Sequence, residues 1–206
     1  MRIKVKNIER KHFCKILSVG NTEQSDSDKF QVVSQYEFIK SLTQETQESI
    51  AGNTELEFDT ESFDEKIKEV ADTWGEMVSV NRTFFSGDVT ELAVIAAQKC
   101  LSEATSKYEF DSNTIDAIIG ATNTGPGYPS LADFVKEGLD LRNDAMCFDV
   151  TEACVAGSVA IFQGWSLITS GACRNVLVVA SEKATTLTNK ENWQGSNLFG
   201  DGAFAM

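Results

Sequence analysis

The sequence predicts an α/β fold in which helices cover both faces of a sheet. Three observations carry this expectation. Near-continuous apolar runs at 115–121, 145–150 and 175–180 read as buried strands. Two helical patterns, 129–139 and 154–170, lie between them, the first opened by Pro129 and the second closed by Gly171. Strand, helix, strand, helix, strand at this spacing is the order of a sheet with covering helices, and a fourth strand begins at Gly202.

Size and charge narrow the possibilities. The chain has 206 residues, 42% apolar and 24% charged, the texture of a protein with a sizeable core. No eighteen consecutive residues are apolar and no apolar signal core follows the basic start, so neither a membrane nor a secreted location is expected. The net charge is −13, with +5 in the first twenty residues, −11 over 21–80 and −7 over the remainder. A negative field of this size repels phosphate backbones, which argues against a nucleic-acid partner. The five cysteines are odd in number and form no CxxC pair, which fits reduced thiols in the cytoplasm and no metal site.

From the N-terminus, residues 21–58 are acidic and weakly periodic and give no clear element. Phe30, Val33, Tyr36, Phe38 and Ile39 fit a short helix or a strand equally. Phe63, Ile67, Val70 and Trp74 recur at helical spacing, so 60–74 is a helix with Thr60 as its N-cap and Asp64 and Glu65 in its first turn. Asp88 to Thr105 is a second helix, with Leu92, Ile95, Ala96, Cys100 and Leu101 on one side. The run 115–121 stops at a Gly- and Pro-containing loop, Asn123 to Gly127, before the next helix. The chain stops inside an apolar segment, so an uncovered sheet edge is expected there, completed by a continuation or by another polypeptide.

The sharpest local signal is FDVTEACVAG over 148–157, where a strand runs into a tight turn and Cys154 stands at the head of a helix of small residues. Unpaired N–H groups and the positive end of the helix dipole favour a thiolate there. The alternative is an inert structural cysteine. Asp149 reads either as a general base or as a tie to backbone. Glu152 could contact substrate or tune Cys154, although a carboxylate beside a thiolate opposes it.

Segment 148–157, then Ser170-Gly171 with the strand 176–180, then NLFGDGA over 197–203, is similar to the β-ketoacyl-[acyl carrier protein] synthase III family. Pro129-Ser130 ahead of a helix matches as well. The resemblance covers roughly 60–206 and implies a thiolase-like layered fold, one βαβαβ half with a central buried helix following the cysteine. It divides the chain into a divergent segment, 1–58, and a half-domain, 59–206, whose C-terminal counterpart is absent. It implies that Cys154 accepts an acyl group from acyl-CoA, and that a malonyl thioester then condenses with it in fatty-acid or polyketide-type biosynthesis. A non-decarboxylating acyltransferase or a non-catalytic partner subunit are the alternatives. Trp74 resembles the family tryptophan that stacks on the adenine of coenzyme A, and Arg82 falls where the family has a further arginine.

Three departures accompany the resemblance. The family's opening strand and its Leu-Pro turn are not recognisable in 1–58. The arginine expected four residues after the tryptophan is Val78. The family's catalytic histidine and asparagine lie in its second half, and the single histidine here, His12, has no counterpart in the site. The resemblance implies no cofactor beyond the thioester substrates. As partners it implies acyl carrier protein and either a homodimer or a heteromer with a chain that supplies the other half. An acidic carrier protein is expected to prefer the basic start (Lys4, Lys6, Arg10) or the neighbourhood of Arg174.

Overall fold

In the computed structural model, which describes residues 20–21, 29–52, 62–78, 82–189, 191–196 and 198–206, the apolar runs become one five-stranded sheet. Its order is β1 (Gly20–Asn21), β7 (Asp201–Ala205), β6 (Val176–Lys183), β4 (Ala117–Ala121), β5 (Met146–Val150). β4 runs parallel to both β5 and β6, while β7 is antiparallel to β6 and to β1. β7 therefore lies inside the sheet, and the edge expected to be bare beside it is occupied by β1. Among the described residues the outer edges of the sheet are β1, two residues long, and β5. The basic start, with Lys4, Lys6, Arg10 and His12, and the expected N-cap Thr60 lie outside the described residues.

Alternation along the strands splits the core into two layers. Ile118, Leu177 and Val179 face α4 (Val89–Tyr108) and α5 (Leu131–Gly138), meeting Ala93, Ala96, Ala97, Leu131 and Val135. Ile119, Ala121, Val150 and Val178 face α6 (Ala156–Ser170), meeting Ala156 and Ala160. Both faces are covered, as the sequence predicts. Asp88 caps α4 by accepting from the N–H groups of Thr90 (2.8 Å) and Glu91 (2.9 Å). Ser130, not Pro129, caps α5, accepting from the Asp133 N–H at 3.1 Å; Pro129 sits one residue outside the cap.

α6 rests on the sheet through a stripe of small residues, Ala156, Ala160 and Gly164, the only residues it buries. A Cβ on Gly164 would lie 3.2 Å from the Val178 side chain, so the helix sits very close to β6. Its outer face exposes Phe162 (62%) and Trp165 (49%). By length and apolarity alone Ala153–Ser170 could cross a membrane, which the count of consecutive apolar residues overlooked because Ser, Gly and Gln interrupt it. Here it packs onto three parallel strands along one face and leaves the other exposed.

The segment without a sequence assignment joins the helix predicted at 60–74 in a satellite. β2 (Phe30–Val33) pairs antiparallel with β3 (Arg82–Phe85), and α1 (Gln35–Lys40), α2 (Gln44–Gly52) and α3 (Phe63–Val78) enclose Phe38, Ile39, Leu42, Ile50, Ile67 and Val70. Strand and helix are both present at 30–39. Ser34 switches one to the other through a capping box with Glu37, whose carboxylate accepts the Ser34 N–H at 3.0 Å while the Ser34 hydroxyl accepts the Glu37 N–H at 3.2 Å. Asp201, 3% exposed, joins satellite to sheet. Its carboxylate accepts from the Phe85 N–H (2.9 Å), the Thr185 N–H (3.0 Å) and the Thr185 hydroxyl (2.8 Å).

Asp149 is a backbone tie. Its two oxygens accept the first N–H groups of α5, from Leu131 (2.6 Å) and Ala132 (3.0 Å). It reaches them only because its β4 neighbour is Gly120, where a Cβ would collide with the carboxylate and lie 3.2 Å from the Ala132 nitrogen. Gly120→Ala and Asp149→Ala are each expected to cost about 1–3 kcal/mol in chemical denaturation, because both leave those N–H groups unpaired.

Candidate active site

Parallel strands bring their carboxyl ends to one side of a sheet, and connecting loops gather there. Here the ends of β4, β5 and β6 deliver Thr122 to Thr124, Thr151 to Cys154, and Glu182 with Lys183. Cys154 stands in a single turn of 3₁₀ helix, Ala153–Val155, that leads directly into α6. Ala153 takes the left-handed conformation, φ 47°, which turns the chain sharply out of the strand.

Among the described cysteines only Cys154 is exposed. Burial pushes the thiols of Cys147 and Cys173 up, Cys173 with help from the Asp116 carboxylate. Geometry thus separates one accessible sulfur from three withdrawn ones, Cys100, Cys147 and Cys173. Glu152 is exposed just before the turn and makes no capping hydrogen bond.

A polar knot that sequence reasoning missed braces this turn. The Glu182 carboxylate accepts from the Asn123 N–H (2.7 Å), the Asn123 side-chain amide (2.7 Å), the Thr124 N–H (3.0 Å) and the Thr124 hydroxyl (2.7 Å). The Thr124 hydroxyl in turn accepts the Lys183 N–H at 2.8 Å. The same Asn123 amide donates to the Ala153 carbonyl oxygen at 3.1 Å. The available signal was positional, since Asn123-Thr124 follows one buried strand and Glu182 ends another.

Trp74 and Arg82 belong to the satellite. Arg82 opens β3 opposite Val33. Trp74, half-buried on α3, makes a T-shaped contact with Trp193, ring centroids 4.9 Å apart at 77°. The segment around Trp193 is held further by Glu191, which accepts the Thr43 hydroxyl at 2.8 Å and also the Thr46 hydroxyl. Those two hydroxyls, Thr46 foremost, hold the Glu191 carboxyl below its usual range. Trp74 thus packs with the helical cluster, and Cys154 stands beside the α6 layer.

A cavity of about 450 Å³ lies between α6, the C-terminal part of α4 and the start of β6, lined by Phe110, Ile161, Trp165, Ile168, Val176 and Met206 among others. None of Cys154, Asn123 and Glu182 lines it, and its sheet residues come from the amino end of β6, so it is an apolar trough set toward the other end of the sheet from the cysteine and not the reaction chamber.

Residues 148–206 match the family model of 3-oxoacyl-[acyl-carrier-protein] synthase III. A β-ketoacyl-[acyl-carrier-protein] synthase III of Clostridium perfringens is 35% identical over 148 residues, covering 68% of this chain and 44% of the relative. A β-ketoacyl-[acyl-carrier-protein] synthase III 2 of Staphylococcus epidermidis is 33% identical over 144 residues, with 69% and 44% covered. The chain therefore spans less than half the length of these relatives. In structure it is similar to the Aquifex aeolicus 3-oxoacyl-[acyl-carrier-protein] synthase III, with TM-score 0.69, 27% identity, and 93% of this chain and 52% of that one covered. OleA of Xanthomonas campestris shares the fold, with TM-score 0.69, 21% identity and coverage of 93% and 56%.

Trp193→Ala is expected to remove the aromatic contact that docks segment 184–196 on α3. Proteolysis within that segment should quicken and stability should fall by about 1 kcal/mol or somewhat more.

Proposed function

The chain is a relative of the β-ketoacyl-[acyl carrier protein] synthase III family with the layered thiolase fold, and from that premise we propose that it carries the acyl-loading half of a condensing enzyme. The observation that supports this reading most is the exposed Cys154 at the head of α6, inside the segment that matches the family model.

The Cys154 thiolate attacks the carbonyl carbon of an acyl-CoA. Charge collects on the carbonyl oxygen, the bond to the coenzyme A sulfur breaks, and that sulfur leaves with the electron pair and takes up a proton. The Cys154 N–H, at the positive end of α6, is one donor to the developing oxyanion. A malonyl thioester then loses carbon dioxide, and the electrons of the broken C–C bond form an enolate. The enolate attacks the acyl carbon and releases the Cys154 thiolate. The enolate needs neutral donors, and the described residues of this chain contain no histidine. In this reading those donors come from a further segment or a partner chain, which would also cover the apolar outer face of α6.

Trp74 and Arg82 are proposed to receive coenzyme A. A base stacked on Trp74 would share the aromatic surface with Trp193. The outer edge of β5, unpaired among the described residues, favours pairing with a second copy, and exposed Arg174 offers a contact for an acidic carrier protein. The proposed setting is the cytoplasm, in fatty-acid or polyketide-type biosynthesis, with no cofactor beyond the two thioesters.

Intact mass after incubation with a panel of acyl-CoAs tests the loading step. One acyl adduct is expected, absent in Cys154→Ala; an adduct that persists in that variant, or none in the folded unsubstituted protein, would overturn the assignment.

A further inference from the structure

Resting on the acyl-loading role of Cys154, we infer that Asn123, itself oriented by Glu182, is the positioning residue that aims the Cys154 N–H at the substrate oxygen. In a trans peptide the carbonyl and the following N–H point in opposite directions. The peptide between Ala153 and Cys154 is trans, and its carbonyl oxygen is held by the Asn123 amide at 3.1 Å and by the Ala156 N–H. The two donors together fix the direction of this oxygen. The Cys154 N–H is thereby turned the other way, and among the described residues it has no acceptor.

This orientation is not set by Ala153 itself. At φ 47° an alanine is outside its favoured region, so contacts beyond the residue itself hold the turn. An external hold is needed, and Asn123 supplies it from the end of β4. Asn123 in turn is tied through both its backbone and its side chain. Its own N–H and its side-chain amide both donate to one oxygen of Glu182, while Thr124 occupies the other oxygen through its N–H and hydroxyl. With four donors on one carboxylate, the ends of β4 and β6 are locked together, and the amide retains one direction, toward Ala153.

The inference separates two reactions of the same sulfur. Acylation by a thioester passes through an oxyanion that needs the aimed N–H, whereas alkylation by iodoacetamide develops no oxyanion. In Asn123→Leu, which keeps bulk and removes the donor, acylation of Cys154 by acyl-CoA should slow about ten- to a hundredfold while alkylation changes by less than about twofold. Glu182→Gln should shift the two rates in the same unequal way, by less. Equal loss of both rates, or undiminished acylation, would overturn the positioning role. Should Asn123→Leu not fold, Asn123→Ser, which withdraws the donor beyond reach of Ala153, carries the same comparison. If the unsubstituted protein is not acylated, the loading reading itself fails. The clamp is then judged by the amide resonance of Cys154, which should move in the Asn123 variant; an unmoved resonance would refute the clamp.

Discussion

Strand β5 is fixed by one carboxylate. Asp149 sits one residue before the end of β5 and five before Cys154, and its two oxygens hold the first turn of α5. The same bonds seat α5 on the sheet, close the turn after the 122–130 loop, and fix the height at which β5 releases the chain toward Cys154. They exist only because β4 presents a glycine at the facing position. Removing a carboxylate whose partners lie on another element leaves helix N–H groups without acceptors, a larger penalty than the net worth of the bonds. Geometry at the cysteine is thus inherited from a contact on the opposite side of the strand.

The two helical layers meet the sheet differently. α4 and α5 bring alanines and branched residues into a thick layer with Ile118, Leu177 and Val179. α6 approaches through Ala156, Ala160 and Gly164, so it lies close to the strands and brings its first turn directly over their ends. Close approach places the partial positive charge of the helix terminus beside the sulfur and leaves the large apolar residues facing away. One stripe of small residues therefore sets both the electrostatics near Cys154 and the exposed apolar surface around Phe162 and Trp165.

Much of this architecture was legible in the sequence because local and long-range signals agree there. Apolar runs bounded by Gly, Pro or polar loops located β4, β5 and β6, and Gly171 ended α6 where its left-handed conformation is needed. Apart from α3, the satellite was hidden because its two strands are four residues long and its first helix six, too few periods for one pattern to stand out from the other. The capping box at Ser34 was readable, but it lay between two apolar groups that fitted either period. Cys154 could be singled out because helix-head position and small neighbours are sequential features. The Glu182 and Asn123 knot could not, because it joins residues 59 apart through a register that only the folded sheet defines.

Ala153 has a consequence for how such a chain tolerates change. A left-handed alanine costs about 1 kcal/mol or somewhat more, and glycine there would remove that cost. Glycine would also widen the range of peptide orientations open to the unbraced turn. Selection for heat resistance alone favours glycine at 153, and selection for turnover favours a stiffer residue. The position is one where a library screened for survival at high temperature and one screened for product would diverge.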